Sequence, residues 1–178
     1  MSDRIVITGR GAVTAAGIGC GPLHDCLASG QHAFRLLSEV LAENPSELEQ
    51  GGLFHRGPQE QEDLDEGVGF EDLDDLMIGA DFGLDLSGAL EGRNLRPLDR
   101  TSSLLICAVK EALEDGGWSP EARAALEVGL VLGTTFCSAH TIAAFDRRAL
   151  VAGPRYASPL DFANTVINAA TGLSLIHI

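Results

Sequence analysis

A chain of 178 residues, 45% of them apolar, is long enough for one domain with a real hydrophobic core. Its formal charge of −14 is confined to one stretch: residues 43–91 hold fifteen acidic side chains and one basic one, Arg56, and elsewhere eleven charges of each sign cancel. That balance argues against nucleic acid and against an anionic membrane surface as partners, and no run approaches the roughly 20 apolar residues of a membrane helix.

The opening Met-Ser-Asp-Arg-Ile-Val goes from charge straight into a strand-like run, without the apolar core of a signal peptide. Cysteines 20, 26, 107 and 137 show no CxxC spacing, so neither a disulfide framework nor a zinc site is expected. We expect a reducing, cytoplasmic setting. Residues 4–8, Arg-Ile-Val-Ile-Thr, predict a short buried strand ended by Gly9. Gly9, Gly11, Gly17, Gly19 and Gly21 follow. This is not a dinucleotide fingerprint, because Thr14 stands where a third small residue must pack helix on strand. Nor does a convincing helix open there to receive a pyrophosphate. No cofactor is expected.

Pro22, Leu23, Cys26, Leu27 and Gly30 predict a short helix over 22–30, and 31–41 is open between a second helical piece and irregular chain. From 43 to 93, repeated glycines and acid pairs break every period, so an acidic surface excursion is expected, with one short helix around 71–78. It is either a specificity surface or a solvated loop. Asp99 then caps a strong helix, with Pro97 just outside it. Thr101, Leu104, Leu105, Ala108, Val109, Ala112 and Leu113 trace its apolar stripe, Gly116-Gly117 ends it, and Trp118 turns back onto the core. Ser119-Pro120-Glu121 opens a short helix to Leu126, and Val128–Leu132 predicts a strand covered on both faces. Residues 133–138 turn the chain into a helix over 139–150.

In the segment Gly153–Gly172, Pro154 and Pro159 predict an extended connection over 153–159. Asp161 is placed to cap a helix whose apolar face holds Phe162, Val166, Ala169 and Ala170. Asn164 and Asn168, four apart, share one face of that helix, either as a hydrogen-bonding site or as satisfied polar groups tying it to neighbouring backbone.

Two residues invite a catalytic reading. Cys137 sits at a strand-to-helix turn, where a helix N-terminus favours a thiolate, and His140 is three residues on. The alternative is a small cysteine lining the core. His24, His32, His55 and His177 have no spaced partners, and no metal site is expected.

Four stretches together resemble the β-ketoacyl-acyl carrier protein synthases, condensing enzymes of the thiolase-like superfamily. They are the opening strand with Gly9, Gly11 and Gly17; Arg96-Pro-Leu-Asp-Arg-Thr101 with Ala112-Leu-Glu-Asp-Gly-Gly-Trp118; the Gly133–Ser138 turn; and Gly153–Asn168 with Ala169-Ala-Thr-Gly172. The resemblance covers 1–40 and 94–172. It implies an α/β fold: the N-terminal half of a thiolase-like domain, incomplete, with a mixed sheet and helices on both sides. It also implies a 3-oxoacyl synthase that condenses an acyl thioester with malonyl-acyl carrier protein, with decarboxylation, in fatty-acid or polyketide assembly. Acyl carrier protein and acyl or malonyl thioesters would be its partners, as would a second synthase subunit in a homodimer or heterodimer. An acidic face is a poor dock for a carrier that is itself acidic.

The family's nucleophilic cysteine and its histidines, or histidine and asparagine, lie beyond the matching segment. The chain is therefore expected to hold no catalytic residue and to be inactive alone. A second expectation is a non-catalytic partner of a full synthase, as chain-length factors are. The resemblance puts Gly at the position of Cys137, and places Leu160, Asp161 and Phe162 near the dimer face and acyl pocket. Domain 1–172 would be followed by a tail, 173–178: Leu-Ser-Leu-Ile-His-Ile is either the next piece of helix or strand or, as we expect, the translation of a transposon-end adapter used in short-read sequencing. An isolated half-domain would expose a large apolar face and be poorly soluble.

Overall fold

The computed structural model describes residues 4–43, 76–79, 84–86, 88, 90 and 98–178. Most of the acidic stretch, His55 and the approach at 94–97 lie outside these. The elements run in the order β1 (Val13–Thr14), β2 (Gly17–Ile18), α1 (Cys20–Ala28), β3 (Arg35–Leu36), α2 (Leu37–Glu43), β4 (Met77–Ile78), α3 (Arg100–Asp115) and α4 (Pro120–Ala124). Then come α5 (Ala139–Ala152), a 3₁₀ turn (Pro154–Tyr156), α6 (Pro159–Asn164) and α7 (Ala169–His177).

Helix α3 is the axis, and its ends explain its length. Asp99 caps it by accepting from Ser102 N at 2.9 Å. At the other end Gly117 takes φ +70°, Gly117 N donates to Glu114 O at 3.0 Å, and Trp118 N donates to Leu113 O at 2.9 Å. That pair of bonds is a Schellman stop, and only glycine adopts its turn conformation at little cost. Trp118 folds back as expected, donating Nε1–H to Thr8 Oγ1 at 3.2 Å.

Both faces of α3 are used. Ser102, Ile106 and Cys107 are the buried positions, Ile106 and Cys107 packing with Leu86 and Leu90 while Val13, Ile18, Leu98 and Leu104 close around them. α3 also packs on α7, whose Ala170 and Ser174 are buried. The predicted stripe is therefore not the deepest face. Its members Leu105 and Val109 instead line a groove of about 680 Å³, walled by Thr8, Gly11, Leu130 and Val131. A helix held between two layers needs an apolar arc wider than one stripe.

The mixed sheet is not seen. Among the described residues the sheets are two antiparallel pairs, β1 with β2 and β3 with β4. Segments 4–8 and 128–132 are not strands, and the second is not covered on both faces: Ile5 is 100% exposed and Val131 97%, while Leu130 and Leu132 are half-buried. A strand is defined by neighbours that take its backbone hydrogen bonds, and neither segment has one among the described residues.

Local boundaries also shift. α1 starts two residues early, at Cys20. The open stretch 31–41 becomes β3 and then α2. Residues 77–78, expected at the end of a helix, pair with Arg35–Leu36 instead; 71–75 lie outside the described residues. Arg35 also forms a two-pronged ion pair with Glu43, Nη2 to Oε1 at 2.6 Å, which closes α2 back on β3 and holds the Glu43 carboxyl below its usual range.

α4 opens as predicted, with Ser119 Oγ accepting from Ala122 N at 3.3 Å. The carboxyl of Glu121 is held below the ordinary glutamate range, first by its own backbone N–H and then by the Ser119 hydroxyl. A carboxyl with a lowered folded pKa contributes stability above its unfolded pKa and loses it as pH falls through the folded value. Glu121→Gln should therefore flatten the acid side of the melting temperature against pH, below the ordinary glutamate range. An unchanged acid limb would remove Glu121 from that role.

Candidate functional site

Two neighbouring features carry the predicted site residues: the turn that opens α5, and the segment from Gly153 to Asn168. At the turn, Thr134 Oγ1 accepts from Cys137 N at 2.9 Å and Cys137 O accepts from Thr101 Oγ1 at 3.1 Å. Asp99 Oδ2 accepts from Thr141 Oγ1 at 3.5 Å. The N-terminus of α3 is thus stitched to the N-terminus of α5. The Cys137 thiol donates to Ile167 O at 3.4 Å and lies 3.9 Å from Ser138 Oγ. The Cys/His pairing is not formed: among the described residues no hydrogen bond joins His140 to Cys137, and His140 is exposed. A nucleophile of the Cys/His type has its base within hydrogen-bond reach. Here the thiol fastens the turn to the link between α6 and α7.

Cys137 is the one described non-glycine residue with positive φ, at 49°. A side chain in that region costs on the order of 1 kcal/mol, which glycine avoids. The two bonds that fix the turn use Cys137 backbone groups, which glycine keeps. Cys137→Gly should raise stability by about 0.5–1 kcal/mol in urea unfolding. A loss instead would mean that the bond from Sγ to Ile167 O outweighs the strain.

The Gly153–Asn168 segment differs from its prediction in three ways. Its first part is a 3₁₀ turn, with Arg155 lying over the Tyr156 ring at 5.1 Å. The cap of α6 is Ser158, whose Oγ accepts from Asp161 N at 3.1 Å, so Asp161 lies inside the first turn. Serine next to Pro159 at the first helical position is the better N-terminus. The expected single helix is two, α6 and α7, interrupted at 165–168. Asn164 is buried in α6 while Asn168 is exposed ahead of α7, so the two amides share no helix face.

Freed from capping, Asp161 accepts from Arg148 Nη1 at 3.1 Å, and Phe162 packs on Phe145 with ring centroids 5.8 Å apart. These two contacts clamp α6 along α5. Leu160 stays half exposed, at 49%, and Leu150 and Val151 stand out into solvent at the end of α5. Sequence reasoning missed Arg148 and Phe145. Their distance from Asp161 and Phe162 along the chain leaves no local signal. The charge of Arg148 and the aromatic ring of Phe145 were the only hints.

The glycine turn is built for packing. A Cβ on Gly9 would lie 2.0 Å from Ala112 O, and one on Gly11 2.0 Å from Ala108 O, so residues 9–11 lie directly on α3. Among the described residues no group of three or more His, Cys, Asp or Glu gathers as metal ligands, and no helix is long and apolar enough to cross a membrane. Burial raises the pKa of the Cys107 thiol, keeping it protonated inside the core.

The long capped helix with its glycine turn, the tight turn into α5 and the proline-punctuated segment leading to paired helices are the stretches that carry the resemblance to the condensing enzymes. The family model described as "Beta-ketoacyl synthase, N-terminal domain" matches residues 2–173, and the chain belongs to that family. No curated protein matches the chain.

Proposed function

We propose that residues 1–172 form the N-terminal half of a 3-oxoacyl-acyl carrier protein synthase. Such an enzyme performs the decarboxylative condensation of an acyl thioester with malonyl-acyl carrier protein in fatty-acid or polyketide assembly. The observation that carries this reading is the family match, which runs through every motif quoted for the resemblance. In this reading the nucleophilic cysteine and the histidines that activate the malonyl group belong to sequence outside the match. The domain contributes positioning: Leu160, Asp161 and Phe162 stand at the dimer face and acyl pocket, and Arg148 and Phe145 hold them there. The clamp of α6 on α5 supports this role, because a pocket wall must be rigid to select an acyl chain. Segments 4–8 and 128–132 are the proposed strands of the mixed sheet. Residues of both, Thr8 from the first and Val128 to Val131 from the second, border the α3 groove.

We assign residues 173–178 outside the domain, a boundary one residue short of the end of the family match at 173. In the structure they continue α7, with Ser174 buried and donating Oγ–H to Ala170 O, while Leu175 and Ile176 stay exposed.

The 178-residue chain alone is expected to make no 3-oxoacyl product from acyl- and malonyl-acyl carrier protein, and to carry no acyl thioester on Cys137 by intact mass. Product from this chain alone, or an adduct on Cys137, would overturn the assignment of its residues to positioning. The second measurement is long-read sequencing of genomic DNA across the codon for Gly172. A frame that continues to a cysteine among small residues, and then to histidines, supports the synthase. A stop codon after Ile178 overturns it, and the non-catalytic partner reading takes its place.

A further inference from the structure

We draw no further inference here: the strongest candidate, the apolar groove of about 680 Å³ between residues 8–11 and 126–131 on α3, beside the buried Nε of Arg123, lies on a face for which nothing in the structure shows what covers it.

Discussion

Gly11→Val is expected to lower the stability of this domain by on the order of 3 kcal/mol, or to prevent its folding. The reason is steric. Gly11 does not have positive φ, so its backbone conformation would accept any residue. Its Cα, however, lies against the backbone of α3, where even a methyl group would sit 2.0 Å from Ala108 O and 2.7 Å from Ala112 N. Those atoms belong to helix hydrogen bonds and cannot rotate aside as a side chain can. Relief requires lifting residues 8–12 off the helix, which also strains the Thr8–Trp118 bond and the bond from Arg10 N to Asp115 Oδ2. Gly21 supplies the contrast. It lies in α1 with nothing within 4 Å of an added Cβ. Gly21→Ala should therefore stabilise, by about 0.5–1 kcal/mol, through helix propensity. Urea unfolding of both variants separates the roles. Equal midpoints for Gly11→Val and the parent chain would mean that the first segment is not docked on α3. Because no nucleotide is present in the measurement, a stability loss cannot come from a phosphate site.

The same positions show how much was legible in the sequence. Helix α3 was, including its cap and its glycine stop, because those signals are local: Asp99 needs only the first turn and Gly117 only the last. For Gly9 and Gly11 the departure at Thr14 spoke against a phosphate site, but that they pack on α3 shows only in the structure. The site was legible only in part. Asp161 carries two local signals, a carboxylate near a helix start and a neighbour of Pro159. Which one governs depends on Arg148, brought alongside by the packing of α6 on α5. Asn164 and Asn168 fit one helical period equally well, but the chain breaks between them. The buried face of α3 was displaced from the predicted stripe because Leu86 and Leu90 reach it from a stretch with no periodicity of its own. The sheet was least legible, since a parallel strand is made by its neighbours and an apolar run such as Val128–Leu132 shows only that it is fit to be one.

Leu150→Asp with Leu160→Asp is expected to turn the chain from a dimer into a monomer at tens of micromolar protein, if the proposed dimer face is correct. Leu150 is 84% exposed and Leu160 49%, and they flank the seam held by Arg148–Asp161 and Phe145–Phe162. Apolar side chains this exposed are stable in water only at a cost that a covering surface removes. A two-fold contact uses each residue twice. Burying one such side chain from each copy is worth roughly 3 kcal/mol, which is about a hundredfold in affinity, and placing a carboxylate there reverses the sign. Neither leucine is buried in the chain itself, so the double variant should keep the urea midpoint that the parent shows when diluted to a monomer, without the stabilisation that association adds. Sedimentation then reads assembly apart from folding. A second apolar surface makes the test specific. Ile5 and Val131, both almost fully exposed, stand on the segments proposed as sheet strands. If Ile5→Asp with Val131→Asp dissociates the chain and the leucine pair does not, association runs through the unfinished sheet, and the dimer face is not at Leu160–Phe162. If the parent chain is monomeric at that concentration, the proposed dimer is wrong. If the leucine pair alone dissociates it, the segment from Gly153 to Asn168 builds the wall between two copies, and the acyl-pocket role proposed for Leu160 and Phe162 rests on a surface that two copies share.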